Sequence, residues 1–135
     1  MNAQHLRVIV WNVRGLNTPA RRDAVRHVVL EANPGIVCLQ ETKMQEISAS
    51  VVQRCLGNKF TNFFYVPAVG TRGGILVAWD ELIVRISNPH NQANSLTAIV
   101  KAPGAPQEDR DKVEFLQELM DIRELHAGPW LVAGD

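Results

Sequence analysis

Several shortcuts to function are missing from this sequence. It has only two cysteines, Cys38 and Cys55, in no paired or metal-binding spacing, which excludes a disulfide scaffold or a cysteine-rich zinc site. Cys38 lies within an apolar run and reads as a small buried hydrophobe. Lysine plus arginine and aspartate plus glutamate both number 14, so global charge argues for neither a nucleic acid nor an acidic partner. No apolar stretch is long enough to cross a bilayer, and no charged leader precedes one, so the expectation is a soluble intracellular protein. Repeats and low-complexity tracts are absent. Four histidines, His5, His27, His90 and His126, occur, but none forms a recognisable motif with a carboxylate, so no catalytic histidine is assigned.

At 135 residues the chain is expected to be one domain with a real core. Its charge is unevenly placed. Arg7, Arg14, Arg21, Arg22 and Arg26 crowd the start with only Asp23 among them, while 108–124 is acidic. Arginines in such a setting more often form a solvated helix face than a polyanion site.

The apolar pattern gives the organisation. Leu6 to Trp11 reads as a buried strand. Thr18 is placed to cap a helix with Pro19 at its first position, ended by Asn33-Pro34-Gly35. Ile36 to Leu39 is the second strand, and a helix over Ile47 to Leu56 ends at Gly57-Asn58. Strands are expected over Phe60 to Val66, Ile75 to Trp79, Leu82 to Ser87 and Ser95 to Val100, with a flexible turn from Gly70 to Gly74. Beyond Pro103 to Pro106, the spacing of Val113, Leu116, Leu119 and Met120 predicts an amphipathic helix. Trp130 opens a last strand.

Three of these strands deliver an oxygen-bearing side chain at their C-terminal ends: Asn12, Glu41 and Asp135. That is the layout of an α/β active-site rim. Glu41 suits magnesium, which takes hard oxygen ligands, keeps several waters and often uses one or two carboxylates. Asn12 is a neutral oxygen donor that could hold a metal-bound water or orient Glu41. Asp135 could orient or deprotonate an attacking water. Lys43 and Arg14 stand nearby as phosphate contacts. Each has a plainer reading: a solvent-facing strand end for Glu41, a turn residue for Asn12, a frayed terminus for Asp135 and solvated cations for Lys43 and Arg14.

Four segments in order shift these weights: Trp11-Asn12-Val13-Arg14-Gly15-Leu16-Asn17, Leu39-Gln40-Glu41-Thr42-Lys43, Gly73-Gly74-Ile75-Leu76-Val77-Ala78-Trp79 and Gly128-Pro129-Trp130-Leu131-Val132-Ala133-Gly134-Asp135. Together they resemble the endonuclease/exonuclease/phosphatase superfamily, with wording most similar to the endonuclease domain of plant LINE-type retrotransposons. The resemblance implies an α/β fold, the N-terminal half of a four-layer α/β sandwich like that of pancreatic deoxyribonuclease, as one partial domain over 1–135. It also implies magnesium, or manganese, as cofactor and the DNA phosphate backbone as partner. No membrane or protein partner is implied, and the place would be the nucleus. Glu41 matches the family's metal-binding glutamate, Asn12 the asparagine near it, Asp135 the aspartate that positions water, and Lys43 a position near the scissile strand. Arg14 stands where abasic-site enzymes carry a second carboxylate.

The resemblance also sets an expectation of incompleteness. The asparagine after Asp135, the second sheet's strands and the family's Ser-Asp-His ending have no counterpart. Lys101 to Pro106 stands in place of a strand with a Tyr-Gly-Pro-like element, and the single tyrosine, Tyr65, lies elsewhere. The expectation is thus a nuclease by descent without activity of its own, exposing one apolar sheet face. The alternatives are a non-catalytic retroelement remnant and a phosphatase of the same superfamily.

Overall fold

In the computed structural model, residues 6–91, 95–116, 120–122 and 130–134 are described. The chain opens with β1 (Leu6–Asn12), α1 (Pro19–Ala32), β2 (Ile36–Gln40) and α2 (Ala49–Leu56). A hairpin follows, β3 (Asn62–Val66) and β4 (Ile75–Trp79), then β5 (Arg85–Asn91), β6 (Ser95–Lys101), β7 (Arg110–Leu116), β8 (Met120–Ile122) and β9 (Trp130–Gly134). The strands form two sheets, one ordered β3-β4-β2-β1-β9 and the other β5-β6-β7-β8.

The first sheet is built around a right-sized β1–α1–β2 crossover. β1 and β2 are parallel, with Val8 opposite Ile36 and Asn12 opposite Gln40. α1 begins where the sequence places it: the Thr18 hydroxyl accepts from the Arg21 N–H at 3.2 Å, with Pro19 just inside. Asn33, at φ +50°, ends it in the left-handed region. The first turn carries no acidic residue, so the Thr18 cap stands alone. Thr18→Ala is expected to lower stability by about 1 kcal/mol, read as a shift of the urea midpoint with unchanged slope.

Alternate residues of the central strands feed two cores. Ile9, Val37, Leu39, Leu76 and Ala78 pack with Val25 and Val29 of α1 and Val52, Cys55 and Leu56 of α2. Val8, Val10, Ile36, Cys38, Ile75, Val77 and Trp79 face Ile86, Leu96, Ala98, Val100, Val113 and Phe115 of the second sheet. The described residues therefore form three layers: helices, a mixed sheet and an antiparallel sheet. This corrects two expectations. A second sheet exists, and it covers the face that was expected to lie exposed.

The expected helix around Val113 and Leu116 is β-strand instead. Asp111, Val113 and Phe115 are buried while Lys112 is exposed, a period of two, and β7 pairs with β6 along its whole length. The expected strand from Leu82 starts only at Arg85. The Asp80 carboxylate accepts from the Leu82 N–H at 3.0 Å, and Leu82 stands 89% exposed in the turn this makes. Among the described residues no helix is long and apolar enough to cross a membrane.

Both thiols are buried and free. Burial pushes the Cys38 thiol up to about 12. It also raises Cys55, against the opposing pull of Arg22 and Arg54, with Asp23 adding slightly. A thiol reagent at pH 8 is thus expected to modify neither cysteine in the native protein and both after denaturation. Above the ordinary value of 9.0 the unfolded chain sheds a proton that folded Cys38 keeps, so stability falls as pH rises from there toward 12.

Candidate active site

The C-terminal ends of β1 and β2 lie side by side, and the loops that leave them are stitched together by main-chain bonds. The Val13 N–H donates to the Gln40 carbonyl at 3.0 Å, Gly15 to Glu41 at 2.8 Å and Leu16 to Thr42 at 2.9 Å. A third strand end joins from the other side. Lys43 and Thr42 donate to the carbonyls of Gly73 and Gly74 at 2.8 and 3.2 Å, just before β4 begins. The Asn17 amide adds a bond to the Lys43 carbonyl at 3.0 Å.

This stitching holds unusual backbone. Arg14, Glu41 and Lys43 all adopt positive φ, at +54°, +52° and +59°. Such conformations are uncommon outside glycine and persist only where the surroundings over-determine them. Here each neighbouring loop fixes the next. The strain therefore sits on three residues that the sequence singled out for chemistry.

The side chains follow. Asn12 donates from its amide nitrogen to Oε2 of Glu41, and its own Oδ1 accepts from the Arg14 N–H at 3.1 Å. The Asn12 oxygen is thus engaged by main chain, and the NH2 is turned toward the carboxylate. The geometry is that of a residue orienting Glu41, one of its two sequence-derived roles. Its amide oxygen is not held out as a free metal donor. Glu41 is half-buried, and its Oε1 takes no hydrogen bond from the described residues. Lys43 is half-buried as well, its Cδ 3.6 Å from where a Cβ on Gly15 would stand. Arg14 is exposed beside it. Asp135 lies outside the described residues, but Gly134 pairs with Val10, so β9 runs parallel to β1 toward the same sheet end.

Among the described residues no three His, Cys, Asp or Glu side chains cluster as a closed metal cage. The donor set present still suits magnesium: one hard carboxylate with a free oxygen, aimed by an amide, in a polar loop cluster. A soft or fully protein-ligated metal would not find its ligands here.

Thr42 and Gly74 are functional residues that residue-by-residue reading passed over. Thr42 is fully buried, and its hydroxyl accepts from the Met44 N–H at 3.4 Å. Gly74 sits against it at φ +95°. Neither carries chemistry, yet together they seat the turn that presents Glu41 and Lys43. The signal was the Gly73-Gly74 pair itself, a close-approach cue with no partner visible in sequence.

Comparison with known proteins gives the family and the fold. The profile of the endonuclease/exonuclease/phosphatase family matches residues 9–135. The fold resembles the AP endonuclease LMAP from Leishmania major, with a TM-score of 0.58 at 21% identity, over 81% of this chain and 39% of that one. A functionally unknown conserved protein from Enterococcus faecalis V583 aligns at a TM-score of 0.49 and 16% identity, over 79% of this chain and 50% of that one. The chain thus spans well under two thirds of either structure. No curated protein matches its sequence.

Proposed function

Because the chain belongs to the endonuclease/exonuclease/phosphatase family, we propose that its site hydrolyses phosphodiester bonds in DNA with a divalent cation held at Glu41. The family makes it a hydrolase of the nuclease or phosphatase type; the choice of DNA follows the LINE-type wording of its motifs. The observation that carries the reading is the Asn12–Glu41 pair, a carboxylate aimed by an amide with its second oxygen open, where three strand ends meet.

The roles follow from placement. Glu41 would seat magnesium, or manganese, with Asn12 aiming its carboxylate, and the cation would supply a Lewis acid against the charge of the phosphoryl oxygens. Asn12 keeps the carboxylate in one orientation, so none of the binding energy goes into ordering it. Lys43 and Arg14 neutralise the phosphate on either side of the scissile bond. Asp135, following β9, is the proposed acceptor for the proton of the attacking water. Water attacks phosphorus in line, and the bond to the leaving oxygen breaks as its own forms. In the LINE-type reading the product is a nick in target DNA within the nucleus.

The test is conversion of supercoiled plasmid to open circle by the purified chain, with and without magnesium, beside Glu41→Gln. Magnesium-dependent nicking that disappears in the variant is the result this reading requires, against the inactivity expected from the sequence. Equal conversion by both proteins, or none by either, would remove the nuclease reading and leave a non-catalytic relative.

A further inference from the structure

The turn that presents Lys43 is held by main chain everywhere except at one point. The carbonyls of Glu41 and Thr42 accept from the N–H groups of Gly15 and Leu16, and the N–H groups of Thr42 and Lys43 donate to the carbonyls of Gly74 and Gly73. The Lys43 carbonyl is met differently, by the side-chain amide of Asn17 at 3.0 Å. The peptide that joins Lys43 to Met44 is therefore held on its carbonyl side by Asn17. On its N–H side it has a 3.4 Å bond to the Thr42 hydroxyl. That bond is long, so Asn17 is the stronger hold.

The hold matters because Lys43 stands at φ +59°. A residue with a Cβ has no intrinsic reason to occupy the left-handed region and stays there only while its surroundings require it. Released, the 43–44 peptide can rotate and Lys43 can return to negative φ. Its N–H stays with Gly73, so the Cα–Cβ bond swings about that fixed point and the ammonium at the end of the stem swings farthest. The direction it now takes is specific. The stem runs beside Gly15, with Cδ 3.6 Å from the place a Cβ would occupy, and the Gly15 N–H is the one bonded to the Glu41 carbonyl. Lysine and glutamate thus leave neighbouring points of one braced loop. Asn17 itself is exposed and precedes the Thr18 cap, so its amide supports neither the core nor the start of α1.

We infer that Asn17 is a positioning residue: through the Lys43 carbonyl it sets the direction in which the ammonium reaches the phosphate held at Glu41. This rests on the nuclease reading, in which Lys43 neutralises that phosphate. Asn17 touches no substrate, and its effect passes through the backbone of residue 43.

Asn17→Ala, Lys43→Met and the double variant, each checked for unchanged melting, test it. Positive φ brings the Hα of a residue close to its own N–H. The strong intraresidue cross-peak this gives in nuclear magnetic resonance is expected at Lys43 in wild type and lost in Asn17→Ala. Asn17→Ala keeps the lysine charge, so DNA affinity in EDTA and its salt dependence are expected to stay as in wild type while kcat for nicking falls about tenfold to a hundredfold. Lys43→Met removes the charge, and the slope of log affinity against log salt is expected to shrink by about one. In that background Asn17→Ala is expected to cost nothing further. A cross-peak that survives Asn17→Ala, or an equal loss of kcat in both backgrounds, would overturn the proposal. Wild-type chain that nicks nothing would remove the nuclease reading, and loss of the cross-peak in Asn17→Ala would still support Asn17 as the hold on Lys43.

Discussion

Replacing Glu41 with glutamine is expected to lower magnesium-dependent nicking by about a hundredfold to a thousandfold while the fold stays intact. Glutamine keeps the shape of the side chain and can still accept from the Asn12 amide, so the stitched loops lose no bond. What disappears is the negative charge that seats the cation. A cation at a phosphoryl centre contributes several kcal/mol, and each 1.36 kcal/mol is a factor of ten. Asn12→Ala tests the orienting role separately. It leaves the charge but frees the carboxylate, and a tenfold to hundredfold loss is expected, the usual size for a group that aims a ligand. Manganese gives a readout independent of activity. Its paramagnetism is expected to broaden the amide resonances of Asn12 to Gly15, Glu41 to Lys43 and Gly73 to Gly74 in wild type, and not in Glu41→Gln. Broadening that survives the substitution would move the cation site elsewhere.

Gly74→Ala is expected to cost about 2–5 kcal/mol, a large part of a small domain's stability. Two separate effects add. The residue sits at φ +95°, and a Cβ there would stand 2.2 Å from the Thr42 hydroxyl oxygen, which no real contact tolerates. Thr42 is fully buried and cannot swing away. The loop must therefore give, and the loop is the one that carries Glu41 and Lys43. Gly70→Ala isolates the first effect, since Gly70 has φ +63° with nothing within 4 Å of its Cβ position. It is expected to cost only about 1 kcal/mol. Thr42→Ala combined with Gly74→Ala removes the clashing oxygen, so the pair is expected to be less damaging than the sum of its members. Urea midpoints give all four values. Additive behaviour would mean that the hydroxyl contact is not what confines position 74.

The sequence disclosed the parts of the fold whose signals are local. Thr18, Pro19 and Asn33 announced both ends of α1 because capping chemistry needs no tertiary partner. The strand–helix–strand order of β1, α1 and β2 was legible as two apolar runs joined by one helix, and the structure adds their parallel pairing. The stretch around Val113 failed for the opposite reason. Glu114, Glu118 and Glu124 favour helix, and Val113, Leu116 and Leu119 fit helical spacing, yet Asp111, Val113 and Phe115 alternate equally well. Pairing with β6 decides the matter, and that partner is not readable from residues 110–116 themselves. The site divides in the same way. Asn12 and Glu41 were visible as strand ends, but their mutual contact depends on strand register. Thr42 and Gly74 were invisible as a pair because their importance is a distance between residues 32 positions apart.

The parallel pairing of Leu6 with Trp130 through Val10 with Gly134 has a consequence for the order of assembly. Leu6 and its partner Trp130 lie 124 positions apart, so an inner strand of the first sheet lacks one neighbour until the whole intervening segment has been made. Contacts so distant in sequence close slowly, because the whole intervening loop must be confined first. During synthesis the free edge of β1, rich in valine and isoleucine, waits in a partly built sheet. The rate at which native protein accumulates in a cell-free translation should accordingly follow emergence of β9 rather than formation of the β1–α1–β2 unit, however early that unit forms.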